Sequence, residues 1–202
     1  MWSGRLAGLG DNILRLMALK STIYKAGLHL ADMDRGVYAE HALTLALHPS
    51  ETEERLMVRV LAFALHVPAD DLQGTLQFAR GLSDTDEPDL WQKDLTEQIV
   101  HWIEVGQPDE RRLAKACGKA DRVTIYCYGS AAHIWWAGIE TKVTRLKNLE
   151  VWRLPADQAQ ALGERAQRSM QLQVQVQDGH VWLNDDRGSL ELQPEPLWRG
   201  GR

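Results

Sequence analysis

One carboxylate inside an apolar run constrains this chain more than any other feature. Over Glu97–Val105 the residues Ile99, Val100, Trp102, Ile103 and Val105 are apolar, the pattern of a strand buried on both faces, and Glu104 interrupts it. A buried carboxylate is costly unless an ion pair, hydrogen bonds or a metal satisfy it, so Glu104 either belongs to a site or has a structural partner such as Arg112. Upstream, Pro88-Asp89-Leu90-Trp91 reads as a second extended segment. Downstream, Pro108 with Asp109 and Glu110 starts an amphipathic helix whose buried stripe is Leu113, Ala116, Cys117 and Ala120, and Val123–Tyr128 is a further strand. Asp89 and Glu104 thus fall on neighbouring extended segments whose ends meet a helix N-terminus. Such converging carboxylates suit Mg2+ or Mn2+, hard ions that take oxygen ligands and keep waters or phosphate oxygens in the rest of the shell.

The remaining elements follow from period and punctuation. Residues 19–31 alternate as a strand with Ile23, Ala26, Leu28 and Leu30 inside, a turn follows at 32–36, and Val37–Leu47 returns as an antiparallel partner. Ser50 and Glu53 have capping-box spacing ahead of a helix buried through Leu56, Met57, Val60, Leu61, Ala64 and Leu65. Glu51, Arg55 and Arg59 follow one another at i,i+4 beside that face, and Glu53 and Arg59 fit a solvated ion-pair stripe. Thr75–Leu82 predicts a strand and 83–87 an acidic turn. Ala131–Ile139 predicts a helix carrying Trp135 and Trp136, Leu149–Leu154 a strand, and Pro155 opens a helix to about Arg165. Leu172, Val174 and Val176 alternate into an Asp178-Gly179 turn that Val181 and Leu183 leave, a hairpin. Ser189–Leu192 adds a short strand, and the tail after Pro194 is expected to be loose.

Composition decides what partners are plausible. With 202 residues, 44% of them hydrophobic, the chain can bury one substantial core, and a single domain over 17–202 is expected. Residues 1–16 carry three glycines among Leu6, Leu9, Ile13 and Leu16, which predicts a loosely ordered extension with Met17 as the natural beginning. No apolar run reaches the roughly 20 residues of a membrane span and no secretory signal is evident, so a cytoplasmic protein without a membrane partner is expected. Cys117 and Cys127 have neither CxxC nor zinc spacing and read as buried free thiols. A formal net charge of −5 argues against indiscriminate nucleic-acid binding but leaves room for a focused patch. Arg111, Lys115 and Lys119, at i,i+4,i+8 on the helix after Pro108, form such a line.

The stretch from Pro88 to Gly106 resembles the core of the PD-(D/E)XK nuclease superfamily, in which Pro-Asp on one strand and Asp/Glu-x-Lys on the next build a metal-dependent phosphodiesterase site. Pro88-Asp89 and Glu104 match, and Gly106 stands where the pattern has lysine. Glu51 takes the place of the acid that these enzymes often carry on their first core helix. Over a wider span, Met17-Ala-Leu-Lys20, Ala31-Asp-Met-Asp-Arg35, the run His48–Arg55, Asp86-Glu-Pro-Asp-Leu-Trp91, Trp102-Ile-Glu104, Gly106-Gln-Pro-Asp-Glu110 and Ile134-Trp-Trp136 are similar to the bacterial YaeQ family. That resemblance implies an α/β fold with a mixed sheet, a variation on the PD-(D/E)XK core with added antiparallel hairpins.

Two functions follow as expectations. As a phosphodiesterase, the protein would use Asp89, Glu104 and Glu51 to hold Mg2+ or Mn2+, with the Val105 carbonyl as a further ligand and Arg112 or Lys93 standing in for the missing lysine. As a binding or regulatory protein that has kept the scaffold and lost the chemistry, it would hold nucleic acid or a protein partner through Arg55, Arg111, Lys115 and Lys119.

Overall fold

The structure, a computed structural model, describes residues 21–80, 82, 84 and 86–200; the expected extension over 1–16 and the start at Met17 lie outside the described residues. Two long strands, β1 (Thr22–Asp32) and β2 (Val37–Leu47), pair antiparallel along their whole length, Thr22 opposite Leu47 and Asp32 opposite Val37. The buried phase of β1 is Tyr24, Ala26, Leu28 and Leu30, while Ile23, expected inside, is 48% exposed on the other face. Strict alternation decides this, since Ile23 is out of phase with the other three.

Helix α1 (Glu53–His66) follows. Its N-cap is Thr52, whose hydroxyl accepts from the Arg55 N–H at 3.2 Å. The Ser50/Glu53 capping box is not formed: Ser50 Oγ bonds His48 Nδ1 at 2.7 Å and Glu53 accepts from the Tyr24 hydroxyl at 2.6 Å. Every residue from Leu56 to Ala64 is buried, Arg59 included, because the helix lies between two sheets rather than on a surface. The solvated stripe therefore holds for exposed Glu53 and fails for Arg59.

Strands β3 (Leu76–Phe78), β4 (Leu90–Lys93) and β5 (Ile99–Val105) come next, β3 being shorter than the predicted Thr75–Leu82. They precede α2 (Glu110–Lys119), β6 (Ala120–Tyr128), α3 (Ala132–Val143), β7 (Leu149–Leu154) and α4 (Ala156–Gly163). The chain closes with β8 (Ser169–Gln177), β9 (His180–Asp185), β10 (Gly188–Leu192) and β11 (Glu195–Arg199). The β8–β9 turn has positive φ at both Asp178 (52°) and Gly179 (78°), the type I′ geometry that matches strand twist. The tail after Pro194 is not loose: β11 pairs antiparallel with β7, placing Glu195 opposite Arg153.

The strands form two mixed sheets, ordered β10-β9-β8-β1-β2 and β11-β7-β6-β5-β4-β3. β1 and β8 run parallel in the first, and β5, β6 and β7 run parallel in the second. A large core fills the space between them around α1 and α4, drawing Leu28, Leu45 and Leu172 from one sheet and Leu90, Ile103 and Tyr126 from the other. A second core lies on the far face of the six-stranded sheet, where Trp102, Val123, Ile125 and Val151 meet Leu113 and Ala116 of α2. Each fully buried aliphatic side chain contributes about 1.5–3 kcal/mol, so these layers fix α1, β5 and α2 relative to one another. The site lies where those three elements meet.

Candidate functional site

The pairing of β4 with β5 sets Leu90 opposite Ile103, so Asp89 and Glu104 occupy the next facing positions. The Asp89 N–H donates to Ile103 O at 3.1 Å, and its side chain turns back to accept from the Val105 N–H at 2.7 Å. Asp89 is 1% exposed and Glu104 7%, so neither belongs to a solvated acidic loop. Both line one cavity of about 310 Å3, together with Arg55, Gly106, Pro108 and Arg112.

Arg55 reaches this cavity from the first turn of α1. Its Nη2 lies 2.8 Å from Asp89 Oδ2, 2.7 Å from Asp89 Oδ1 and 3.1 Å from Val105 O. Its Nη1 donates to Glu51 Oε1 at 2.9 Å, and Glu51 is held a second time by Arg59 Nη1 at 3.0 Å. Arg59 Nε lies 3.7 Å from Asp89 Oδ1, close enough for charge attraction but too long for a hydrogen bond. Burial alone lowers the Arg55 pKa, and the Asp89 and Glu51 carboxylates more than offset it, so the net direction is upward.

Glu104 has its own partner. Arg112 Nε donates to Glu104 Oε1, the Trp102 indole N–H donates to Oε2 at 3.2 Å, and Arg112 Nη2 continues to Glu87 O at 2.9 Å. Burial pushes the Glu104 carboxyl above the usual carboxylate range; Arg112 pulls it back in part, and neighbouring Asp89 adds to the rise.

The sequence assigned Asp89, Glu104, Glu51 and the Val105 carbonyl to a divalent ion. In the folded chain one Arg55 nitrogen sits against Asp89 and Val105 O, while Glu104 is turned to Arg112 and Glu51 to Arg55 and Arg59. As arranged, these oxygens do not fit such an ion, and among the described residues no group of three or more His, Cys, Asp or Glu is placed to hold one. Gly106, in the place of the missing lysine, has φ +121°, a backbone conformation that L side chains rarely adopt even though the space beside it is open. Lys93 is remote from this chemistry, bonded to Glu97 at 3.1 Å and lying 4.1 Å from the Trp91 ring centroid.

Of the residues expected to touch nucleic acid, Arg55 is drawn inside, with its side chain only 13% exposed. Arg111, Lys115 and Lys119 lie exposed along α2. Lys115 pairs with Asp86, and the Lys119 ammonium lies 6.0 Å from the Trp102 ring. Arg59 was missed as a member of the network. Its signal was present in Leu56-Met-Val-Arg-Val-Leu-Ala-Phe-Ala64, where a helix apolar on every side leaves a charge no solvated face.

A second polar group, half-buried at His66 and fully buried at His101 and Thr124, lies at the far end of α1. His66 Nε2 is 2.8 Å from the Tyr126 hydroxyl, His101 Nε2 is 2.8 Å from Thr124 Oγ1, and Arg122 meets His101 Nδ1 at 2.8 Å. Burial holds both imidazoles well below the usual histidine range, and the nearby Arg122 adds to this for each.

Comparison with known proteins places this geometry in a family. Residues 17–194 match the model of the YaeQ protein family. The chain belongs to the YaeQ family. The YaeQ protein of Salmonella typhi is 49% identical over 178 residues, which cover 88% of this chain and 96% of that protein. That of Escherichia coli strain K12 is 47% identical over 177 residues, covering 87% and 95%. The crystal structure of YaeQ from Xanthomonas axonopodis pv. citri superposes with a TM-score of 0.82 at 47% identity, over 88% of this chain and 98% of that one. YaeQ from Pseudomonas syringae gives a TM-score of 0.83 at 42% identity, over 89% and 97%. The mixed α and β architecture with two mixed sheets is therefore that of the YaeQ fold. Among the described residues no helix is long and apolar enough to cross a membrane.

Proposed function

We propose that the protein is a non-hydrolytic nucleic-acid-binding protein on a PD-(D/E)XK-like scaffold, in which a resident guanidinium takes the place of the catalytic metal. The observation that carries this reading is the position of Arg55 Nη2, within 3.1 Å of both Asp89 and the Val105 carbonyl. An ionised arginine there satisfies the oxygens that would otherwise call for a cation. The glycine at 106 removes the usual activator of the attacking water. The cavity wall then acts as a rigid floor, and phosphates are met outside it by the exposed side chains of Arg111, Lys115 and Lys119. These stand four residues apart, about 6 Å along the helix axis. The Lys115–Asp86 pair is exposed on both sides, so a phosphate can compete for the ammonium at little cost.

The test is fluorescence anisotropy with labelled 20-nucleotide single- and double-stranded DNA and RNA, in EDTA and in Mg2+ or Mn2+. The expected result is binding in EDTA that weakens with salt, with log K falling by roughly 2 per decade for three single-strand phosphate contacts. Arg111→Glu/Lys115→Glu/Lys119→Glu is expected to abolish it, with no substrate cleaved. Cleavage lost in Asp89→Ala favours the competing phosphodiesterase reading, which draws its support from Asp89 and Glu104 lining one cavity. Absence of binding at low salt overturns both and favours a protein partner.

A further inference from the structure

A larger cavity, of about 540 Å3, lies between the open edges of the two sheets. β2 ends the five-stranded sheet and β3 ends the six-stranded one. Thr44, Leu45 and Ala46 of β2 line one side of the cavity; Gln77 and Phe78 of β3, with Ala79, line the other. Helix α1 spans the two edges beneath it. Arg59 Nη1 lies 3.4 Å from Ala46 O while its guanidinium sits 5.5 Å from the Phe78 ring centroid, and Phe63 stacks on that same ring at 5.3 Å.

The ladders decide which main-chain groups face this space. Along a strand, the N–H and C=O of one residue point to the same side, and successive residues alternate sides. The Lys25 N–H donates to Arg168 O at 2.9 Å and the Met33 N–H to Val176 O at 2.9 Å, so the odd-numbered residues of β1 bond β8 and the even-numbered ones bond β2. Tyr24 stands opposite Leu45 and Ala26 opposite Leu43. Leu43 and Leu45 therefore spend their main-chain groups on β1, and Thr44 and Ala46 turn theirs away from it. On the facing edge the Ala79 N–H donates to Asp89 O at 2.9 Å, so Phe78 turns its N–H and C=O away from β4. The next group on that edge, the Arg80 N–H, is already taken by Glu87 Oε2 at 3.0 Å. Side chains keep the same alternation: Leu45 is buried and Phe78 packs on α1, whereas Thr44 and Ala46 are exposed.

An open edge is a template for another strand. With strands about 4.8 Å apart, sheets about 10 Å apart and a rise of about 3.3 Å, one residue of a sheet fills roughly 160 Å3. The cavity thus holds about three residues of a single strand, the length over which β2 lines it. A folded edge from a second copy would bring its own neighbouring strand, for which a gap of this size has no room.

We propose that this cavity binds an extended peptide segment, whose main chain pairs with Thr44 and Ala46 on one side and with Phe78 on the other. The site is independent of the nucleic-acid reading, and either can fail without the other. The middle side chain of the segment enters between Leu45 and Phe78, above Arg59 and Glu51, whose charges are committed to each other at 3.0 Å. An uncharged apolar residue suits that position, and its two neighbours point outward beside Thr44 and Ala46, where polar side chains are accepted.

The probe is the capped pentapeptide acetyl-Ser-Thr-Val-Thr-Ser-amide, and binding is followed through the backbone amide resonances and hydrogen exchange of the 15N-labelled protein. In the free protein the Leu45 amide is expected to exchange slowly and those of Thr44 and Phe78 fast. Saturating peptide is expected to slow exchange at Thr44 and Phe78 about ten-fold, leaving Glu40, on the same edge outside the cavity, unchanged. N-methylation of the valine, which removes its donor, is expected to weaken binding about ten-fold, whereas N-methylation of the first serine leaves it unaltered. Aspartate in place of the valine is expected to abolish it. Thr44→Pro deletes an outward N–H without breaking the ladder, as prolines on edge strands do, and is expected to weaken binding about ten-fold with native far-ultraviolet circular dichroism. Glu40→Pro, the matched change outside the cavity, is expected to have no effect on binding. Should Thr44→Pro fail to fold, the methylated peptides on the wild type decide the matter. No saturable binding overturns the proposal, as does equal binding of the peptide methylated at valine. Slow exchange at Thr44 that deepens with protein concentration in the absence of peptide identifies a second copy as the occupant and also overturns it. Protection of the same amides by single-stranded DNA and not by the peptide assigns the cavity to nucleic acid, with the same consequence.

Discussion

Arg55 Nη2 lies 2.8 Å from Asp89 Oδ2, and the same nitrogen is 3.1 Å from the carbonyl oxygen of Val105. The guanidinium is carried by α1 and the acid stands just before β4, so the contact ties the helix to the sheet at the point where chemistry was expected. A buried ion pair of this kind is weak evidence of net stabilisation, because desolvating both charges offsets much of their attraction. Removing one partner is another matter.

Arg55→Met is accordingly expected to destabilise the protein by about 3–5 kcal/mol, since it leaves Asp89 buried without its principal counter-charge. Urea unfolding measures this. Adding Asp89→Asn is expected to recover part of the loss, making the double variant more stable than the sum of the single changes requires. Strict additivity would show that the two side chains do not interact.

Arg112 and Glu104 make a second prediction, with a defined pH sense. The folded Glu104 carboxyl is raised, so its contribution favours the native state below the unfolded value and declines as pH rises through the folded value. Arg112 opposes that rise, and Arg112→Leu is expected to raise the carboxyl further. The variant should lose more stability at pH 7 than at pH 4.5, and Glu104→Gln should remove the difference. A loss of the same size at both pH values contradicts the assignment.

The buried histidines act in the opposite sense. His66 and His101 are held low by burial, so above about pH 6.5 both are neutral in either state and the native protein has its full stability. Below that pH the unfolded chain takes up protons that the native chain refuses. Each histidine then lowers stability by up to about 1.4 kcal/mol per pH unit. Between pH 7.5 and 5.5 the unfolding free energy of the wild type should fall more steeply than that of His66→Gln. Parallel curves would show that His66 is not buried neutral.

Helix capping separates Thr52, the N-cap in the folded chain, from Ser50, the cap that the sequence suggested. Thr52→Ala should cost about 1 kcal/mol by removing the acceptor for the Arg55 N–H, and Ser50→Ala should change stability by less than half of that. Thermal unfolding of the two variants decides it, and the reverse order restores Ser50 as the cap.

These contrasts show which parts of the molecule local chemistry announces. The β8–β9 hairpin was legible because Asp178-Gly179 supplies the two positive φ angles that a tight turn demands, and its alternation leaves one register. The burial of Glu104 was legible because its neighbours in β5 are apolar. The guanidinium against Asp89 was not, since it joins residues 34 positions apart and depends on how α1 sits between the sheets. Arg59 was misplaced for the same reason: i,i+4 spacing is identical on a solvated helix and on one enclosed by two sheets. Strand β11 escaped notice because Pro196 masks its extended character, while pairing with β7 is a long-range event.

The central claim is that Arg55 holds the position a divalent cation would need. Titration of the protein with Mn2+, followed by the loss of the free-ion paramagnetic resonance signal, tests it most directly. The wild type is expected to bind no Mn2+ at millimolar concentration, and Arg55→Ala to gain a site that Asp89→Asn then removes. Stoichiometric Mn2+ binding by the wild type, abolished by Asp89→Asn or Glu104→Gln, would contradict the account.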